Sequence, residues 1–440
     1  MTRGSQFRWN LTRSCGSSDY PSGFWTGWIW IGGLSIFGEI SVKRARSYIL
    51  TVNGGSSSIK FAWFETSNTL RQILHGSIER IGLPQALFVV QGTDFADSCS
   101  RSVAAPDHVA AIGLLTAWLT ERSEREPLIA IGHRVVHGGP KYSDPQRITA
   151  AMVEQLRQFS PFDPEHLPEA LHLIEALLRQ FPALPQVACF DTAFHQTLPQ
   201  VARLLPIPRR YEAQGVRRYG FHGLSYAYLL QALAQAAGEA AAQGRVILAH
   251  LGNGASLAAV KSGKSIDTSM GFTPTAGLPM STRSGDLDPG LAIYLARTEG
   301  MTGEQFYAMV NHQSGLLGIS ETSSDMRDLL AREAEDSRAA EAVALFCYQA
   351  KKWVGAYAAA LGGLDTLVFA GGIGEHAAPV RARICAGLGF LGIELDELRN
   401  AAHAQVISTD ASRVTVRVIK TDEALMIAKS VCRVLKLDSK

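Results

Sequence analysis

One device constrains this chain more than any other, because it occurs once in each half. An apolar run reaches an Asn-Gly step, passes through small or hydroxyl-bearing residues, and resumes as a second apolar run. SYILTVNGGSSSIKFAWFE at residues 47–65 is the first copy and RVILAHLGNGASLAAV at residues 245–260 the second. Asn-Gly steps favour tight turns between short strands, so Asn53-Gly54-Gly55 and Gly252-Asn253-Gly254 predict two β-hairpins. Three consecutive serines, Ser56 to Ser58, would be wasted in a buried strand. At a turn they offer hydroxyls and backbone N–H groups to a phosphate, although a plain polar hairpin fits them as well. Two such hairpins imply an internal duplication with a nucleotide gripped between the halves.

Other segments place reactive side chains at the ends of predicted elements. In PLIAIGHRVVHGGPKY a strand over Leu128–Ile131 precedes His133, Arg134 and His137. An arginine at a strand end can clamp a carboxylate or phosphate with its planar fork, or form a structural ion pair. In PQVACFDTAFHQTLP a strand over Val187–Phe190 puts Asp191 just past its end, where ligand groups gather in open α/β sheets. RRYGFHGLSYAYLLQAL sets Phe221 and His222 before Gly223, with a helix starting near Ser225. SPFDPEHLPEALHLIEALL begins a helix after a Pro-rich turn. The loop GFTPTAGLPMSTRSGDLDPGL carries Arg283, Asp286 and Asp288, and loops this long inside compact domains are usually functional. Asp325 and Arg327 fall in the first turn of a helix starting near Ser323 or Ser324. DTLVFAGGIGEHAAPVRARI reads as a strand, a Gly-Gly turn and a helix N-terminus suited to an anion. In VTVRVIKTDEALMIAKSVCRVL a strand leads to Thr421, Asp422 and Glu423 at a helix start. Glu423 there is either a capping carboxylate or one facing a metal.

Composition narrows the classes. Lys+Arg 42 against Asp+Glu 40 leaves a net charge of +2, which argues against a nucleic-acid partner held by a basic surface. With 46% hydrophobic and 19% charged residues the chain is of globular type, and 440 residues predict two or three domains. Its six cysteines include no CxxC pair, which fits reduced thiols and a cytoplasmic location. FWTGWIWIGGLSIFG at residues 24–38 is uncharged but shorter than the ~20 residues of a membrane span and interrupted by glycines. No membrane partner is expected. Residues 1–46 read as an extension outside the fold, disordered or the product of a start assigned too far upstream, with Val42 as the alternative start.

Taken together, residues 47 to about 430 resemble the acetate kinase family, within the superfamily of acetate and sugar kinases, Hsp70 and actin. The resemblance rests on TVNGGSSSIKF, GHRVVHGG, FDTAFH, RRYGFHGLSY, AHLGNGASL, TSMGFTPTAGLPMSTRSGDLDPG, SSDMRD, AGGIGEH and TDEALMIA, all in the family's order. It implies an α/β, two-domain, actin-like (ribonuclease H-like) fold with duplicated mixed sheets and an interdomain ATP cleft. Residues 47–194 would form the first domain, with the C-terminal helix 425–440 packing back on it, and residues 195–424 the second. It implies reversible phosphoryl transfer from ATP to acetate, giving acetyl phosphate and ADP, with Mg2+ (or Mn2+) as the ion and a homodimer as the assembly. By resemblance, Asn53 and Glu423 hold the metal. Lys60, His250, Leu251, Gly252, Asn253, Gly254, Asp325, Met326, Arg327, Gly372, Ile373, Gly374, Glu375 and His376 match nucleotide-binding positions. Arg134 matches the substrate-carboxylate position, Asp191 the catalytic aspartate, and His222 and Arg283 the transition-state stabilisers. Val136, Phe221 and Pro274 match the apolar pocket around the substrate methyl group.

The chain departs from the family at several places. SPFDPEHL (160–167) stands where relatives read close to APLHNPxNL, one residue shorter and without the usual histidine. Phe162 there predicts a bulkier wall and a lean towards acetate over longer acids, whereas a shift of the shortened loop would act the opposite way. Ala276, Ser281, His376, Tyr226 and Gly54 are further departures, none at a phosphate-transfer position. Two alternatives accompany the main reading: a propionate or other short-chain acyl kinase, and a non-catalytic nucleotide-binding module.

Overall fold

The computed structural model describes residues 46–437 apart from 56, 67–68 and 94–96. The extension expected at residues 1–46 therefore lies, except for Arg46, outside the described residues. From Arg46 onward the chain forms one compact unit carrying two sheets. The first holds β1 (Ser47–Gly54), β2 (Ser58–Thr66), β3 (Leu70–Glu79), β4 (Ala86–Gly92), β5 (Cys99–Val103), β6 (Leu128–Val135), β7 (Gln146–Arg147) and β8 (Gln186–Phe190), in the order β5-β4-β3-β2-β1-β6-β8-β7. The second holds β9 (Arg245–Leu251), β10 (Ala255–Lys261), β11 (Lys264–Thr268), β12 (Thr366–Ala370) and β13 (Thr415–Val418), in the order β11-β10-β9-β12-β13.

The duplication read from the hairpins is visible in the pairing. β3, β2 and β1 are antiparallel neighbours, and β6 then β8 add in parallel. β11, β10 and β9 repeat the antiparallel trio, and β12 then β13 repeat the parallel additions. Side chains alternate across each sheet with period two, so both faces need cover. Tyr48, Leu50 and Val52 face a core shared with Phe61, Trp63, Phe88 and the helices His108–Ser123 and Leu167–Gln180. Ile49, Ala130 and Val187 face the helix Glu423–Leu435 through Ile427, Ala428 and Val431. In the second sheet Ile247 and Ala249 meet Phe346 and Val354 of the helix Ser337–Leu361. Val246 and Leu248 meet Leu229 and Leu233 of the helix Gly223–Ala237. Each large side chain so buried contributes about 1.5–3 kcal/mol of transfer free energy. Among the described residues no helix is long and apolar enough to cross a membrane.

Two local expectations are corrected. Asn53 and Gly54 stay in β1, paired with Lys60 and Ile59, and the turn falls one step later, closed by the Gly55 N–H donating to the Ser58 carbonyl at 2.8 Å. β6 runs four residues beyond Ile131 to Val135, so His133 and Arg134 lie in the strand rather than after it. Parallel pairing to β8 carries the ladder that far, from Ile131–Gln186 to Val135–Phe190.

Candidate active site

The parallel strands of both sheets end at the residues singled out above. β8 stops at Phe190, and Asp191, buried to 1%, follows it. Its Oδ2 accepts from Arg134 Nε at 3.0 Å and Nη2 at 2.5 Å, while Arg134 Nη1 donates to Asn53 Oδ1 at 3.2 Å. Asn53, Arg134 and Asp191 thus come from the adjacent strands β1, β6 and β8. Burial pushes the Asp191 carboxyl above the ordinary aspartate value and the negative field of Glu423 adds to it, while Arg134 pulls it back. Burial lowers the Arg134 pKa, but Asp191 and Glu423 more than offset it and raise the group overall.

His222 is fixed from the other side. It caps the helix Gly223–Ala237 in the left-handed conformation, φ 58° and ψ 23°. The Gly223 N–H donates to the Asp191 carbonyl at 2.9 Å, and a Cβ at Gly223 would sit 2.0 Å from that oxygen. Only glycine allows this approach, so the helix start is locked to the end of β8, and His222 with it. His222 Nδ1 lies 2.8 Å from Ser256 Oγ, and its ring stacks on His250 with centroids 4.2 Å apart. Burial first, then His250, Arg134 and Arg283, hold the His222 pKa well below the usual histidine range. Burial likewise holds His250 at about 4. His222 at neutral pH is therefore an uncharged hydrogen-bonding group rather than a cation.

Gly254 marks where the groups converge. A Cβ there would meet His222 Nε2 at 3.2 Å and Arg283 Nη1 at 3.6 Å. Arg283 Nη1 donates to the Pro274 carbonyl at 3.1 Å and touches Met280 Sδ at 3.6 Å. No carboxylate pairs with Arg283 among the described residues, and burial lowers its pKa. A guanidinium half out of water, aimed by a carbonyl and left without a counterion, is prepared for an anionic ligand.

The remaining predicted positions divide. Leu251, Gly252 and Asn253 form the second hairpin turn, closed by the Gly252 N–H donating to the Gly254 carbonyl at 3.0 Å. A Cβ at Gly252 would lie 3.9 Å from Gly372 N, so this turn adjoins the short helix Gly371–His376 that carries Ile373 and Gly374. Glu375 Oε1 accepts from Gly371 N at 3.0 Å and Thr421 N at 3.1 Å, tying that helix to the chain just before Glu423. His376 is solvent-exposed, its side chain 77% accessible. Lys60 is exposed on β2 opposite Asn53, and its charge reaches His250. Val136 and Phe221 are buried in one cluster, and His137 between them in sequence sits ring to ring with Phe221 at 5.6 Å. Asp325, Met326 and Arg327 are not brought to this centre by any described hydrogen bond or ion pair. Asp325 instead caps the helix Met326–Arg332 and pairs with Arg327 at 2.6 Å.

The chemistry of the donors here fits a divalent cation. Asp191 Oδ1 is buried without a hydrogen-bond partner, and Asn53 and the half-buried Glu423 add further oxygen donors. Hard cations such as Mg2+ take oxygen ligands of this kind and complete their shell with water and phosphate. Among the described residues no three His, Cys, Asp or Glu side chains gather as a metal cluster, so such an ion would depend on those additional ligands.

Several residues support the site in ways the sequence reading does not give them. Tyr226 is fully buried, its hydroxyl 2.5 Å from Ser256 Oγ, completing a Tyr226–Ser256–His222 chain. Ser225 Oγ lies 2.8 Å from both His250 Nδ1 and Thr421 Oγ1. Asp163, 2% exposed, accepts from His166 with Oδ1 while its Oδ2 is buried without a partner. Its negative charge reaches Arg134, His137 and Arg283. The signal for Asp163 was its place in the shortened SPFDPEHL segment, where it also reads as an ordinary cap of the following helix.

Comparison with known proteins follows the same lines. Residues 48–429 match the model of the acetokinase family. An acetate kinase of Rhodopseudomonas palustris is 45% identical over 390 residues, covering 88% of this chain and 98% of that one. Among solved structures, a propionate kinase from Francisella tularensis superposes with a TM-score of 0.82 at 38% identity, over 87% of this chain and 98% of that one. The Porphyromonas gingivalis acetate kinase superposes with a TM-score of 0.79 at 37% identity, over 88% of this chain and all of that one.

Proposed function

The chain belongs to the acetokinase family, and from that premise we propose that it transfers the γ-phosphate of ATP reversibly to acetate by direct in-line attack, giving acetyl phosphate and ADP. The observation that carries this reading is the convergence of Arg134, Asp191, His222 and Arg283 at the ends of the duplicated strands. Phosphoryl transfer asks the protein mainly for positioning and charge neutralisation. Two anions must approach to ~3 Å for reaction. Arg283, with no ion pair to a carboxylate among the described residues, would hold the transferring phosphoryl group, and the neutral His222 would donate a hydrogen bond to it. Arg134, pinned by Asp191 and Asn53, would receive the substrate carboxylate on one side of its fork. Acetate is already ionised at pH 7, given a carboxyl pKa of ~4, so no general base is needed. Asp191 then serves to orient Arg134. Mg2+, with Mn2+ as the alternative, would be held by Asn53, Asp191 and Glu423 and would supply charge neutralisation at the phosphates. The two sheets, as domains 47–194 and 195–424, would close over the ligands and exclude water. A cytoplasmic location belongs to the same proposal, since ATP is the co-substrate.

Trapping the product as a hydroxamate tests the reading. ATP, Mg2+ and acetate should give hydroxamate in proportion to enzyme. No acyl phosphate from acetate, propionate or butyrate would instead favour a nucleotide-binding module without catalysis.

Preference for acetate rests on Phe162. Its ring packs against Phe272 at 5.1 Å, Phe159 at 5.8 Å and, at 5.6 Å, His137, which follows the buried Val136 in the chain. One methylene in an apolar pocket is worth roughly 10–200-fold in discrimination. Phe162→Ala should therefore raise the propionate-to-acetate ratio of kcat/KM by about tenfold or more. An unchanged ratio in that variant would place the specificity wall elsewhere.

A homodimer is the proposed assembly. The helix Gly290–Glu299 has no buried residue, and its Ile293 and Tyr294 are 57% and 61% exposed. An apolar helix so exposed suits an interface. Sedimentation velocity should show a dimer, and Ile293→Glu with Tyr294→Glu should yield monomers. A native chain that sediments as a monomer refutes this.

A further inference from the structure

We propose that the protein has a second anion site, outside the catalytic centre, which takes a small multiply charged anion of the inorganic phosphate class between Arg203, Arg217 and Arg218. A cavity of about 210 Å³ is lined by these three arginines together with Thr192, Tyr219 and the Gly139 turn, and by no carboxylate. None of the residues assigned above to acid, nucleotide or metal lines it. Since a water's share of liquid volume is ~30 Å³, a hydrated phosphate-sized anion fits.

The three guanidiniums are held in place by groups that leave donors over. Arg218 is pinned by Nε to the Ala202 carbonyl at 3.2 Å and by Nη1 to the carbonyls of Thr268 and Met270 at 3.0 and 3.1 Å. No described hydrogen bond uses its Nη2. Arg203 donates through Nη2 to Gln200 at 2.5 Å, while its Nε is buried without a partner. Arg217 lies over the Tyr219 ring at 4.9 Å, and its Nε is likewise buried and unpartnered. Among the described residues none of the three forms an ion pair. Asp144 is held at a distance, accepting from Gln196 Nε2 at 3.4 Å, and it does not line the cavity. Thr192 Oγ1 accepts from Gly138 N at 3.3 Å, which leaves its hydroxyl proton to donate.

Three cations around one partly open cavity, with only the longer-range field of Asp267 on Arg218 to offset them, cost the fold self-repulsion and two unsatisfied N–H groups. A bound dianion would remove both costs at once. Arginine forks match phosphate oxygens, and charge-assisted hydrogen bonds are about twice as strong as neutral ones. The cavity also shares its walls with the catalytic centre. Thr192 adjoins Asp191, and the Tyr219 ring meets that of His137 at 4.3 Å. Occupancy would therefore be felt at the strand ends that carry Arg134 and Asp191.

Equilibrium dialysis with radiolabelled inorganic phosphate on the full chain tests the site. Arg283→Gln removes the catalytic-centre arginine and should leave one bound phosphate per chain. Arg203→Gln with Arg217→Gln should weaken that phosphate at least tenfold, and Arg203→Lys with Arg217→Lys, which keeps the charges, should weaken it less. If the glutamine pair lowers Tm, Arg203→Gln alone decides, since Arg203 sits on the short helix Gln200–Arg203 with no buried residue. Loss of all phosphate binding in Arg283→Gln, or binding indifferent to Arg203 and Arg217, would overturn the proposal.

Discussion

Arg283→Ala is expected to lower kcat for acyl phosphate formation by about three orders of magnitude, with Tm nearly unchanged. An arginine that neutralises a transferring phosphoryl group is worth roughly 10³–10⁵ in rate, and the lower figure corresponds to about 4 kcal/mol of barrier. The small cost in stability follows from what Arg283 touches. It gives up one hydrogen bond to the Pro274 carbonyl and a contact with Met280, worth about 1 kcal/mol, together with the longer-range attraction of Asp163 and Glu165, and breaks no described ion pair. Arg283→Lys keeps a point charge without the fork, so partial activity should return. Arg134→Ala makes the contrast. Sequence alone predicts for both arginines a loss of turnover far larger than any loss of fold. The structure separates them, because Arg134 is the partner of the 1%-exposed Asp191. Removing one member of a buried ion pair costs about 3–5 kcal/mol, since the other charge is left stranded. Arg134→Ala should therefore lose both turnover and several degrees of Tm, measured by calorimetry beside the kinetics. Near-parental turnover in Arg283→Ala would remove the basis for its assigned role.

What could be read in advance and what could not have different physical origins. The hairpins, the strand ending at Phe190 and the helix starting near Glu423 were legible because turn chemistry and apolar runs act over a few residues. The duplication followed from the two Asn-Gly turns, and strand pairing extends it to five strands in each sheet. The end of β6 was not legible. Gly132, His133 and Arg134 have little strand preference of their own, and pairing with β8, more than fifty residues onward, holds them. Roles taken from resemblance gave Arg134, Asp191, His222 and Arg283. Nothing local in the sequence showed that Tyr226 and Ser256 support His222, since a tyrosine and a serine thirty residues apart meet only through the packing of a helix on β10. The protonation of His222 also depends on burial and on four neighbours, His250, Arg134, Arg283 and His195. A motif names the residue but not its charge.

That dependence on burial gives the largest expected effect on stability, which is acid-driven and lies outside the reacting groups. His133, His137 and His195 are 1%, 0% and 3% exposed, and burial above all holds each at about 4. The hydrogen bonds explain why a second proton is unwelcome at His137. Its Nδ1 already accepts from the Gly139 N–H at 2.8 Å, so protonation there would set donor against donor. In the unfolded chain each imidazole takes its proton near pH 6.5. The unfolded state therefore binds more protons between pH 6.5 and about 4, and folding stability falls as the pH drops through that window. The span of about 2.5 pH units corresponds to about 3 kcal/mol per histidine at its lower end. Three such groups approach the whole stability of an ordinary domain, about 5–15 kcal/mol. Thermal unfolding followed by circular dichroism should show Tm constant from pH 8 to 7, then falling by more than 10 °C by pH 4.5. His137→Phe keeps the ring packing against Phe162, Tyr219 and Phe221 but removes one titrating group, so its Tm should fall less steeply over the same range. A parental Tm that stays flat to pH 5, or a His137→Phe slope as steep as the parent's, would show that these histidines are not the groups that couple folding to acid.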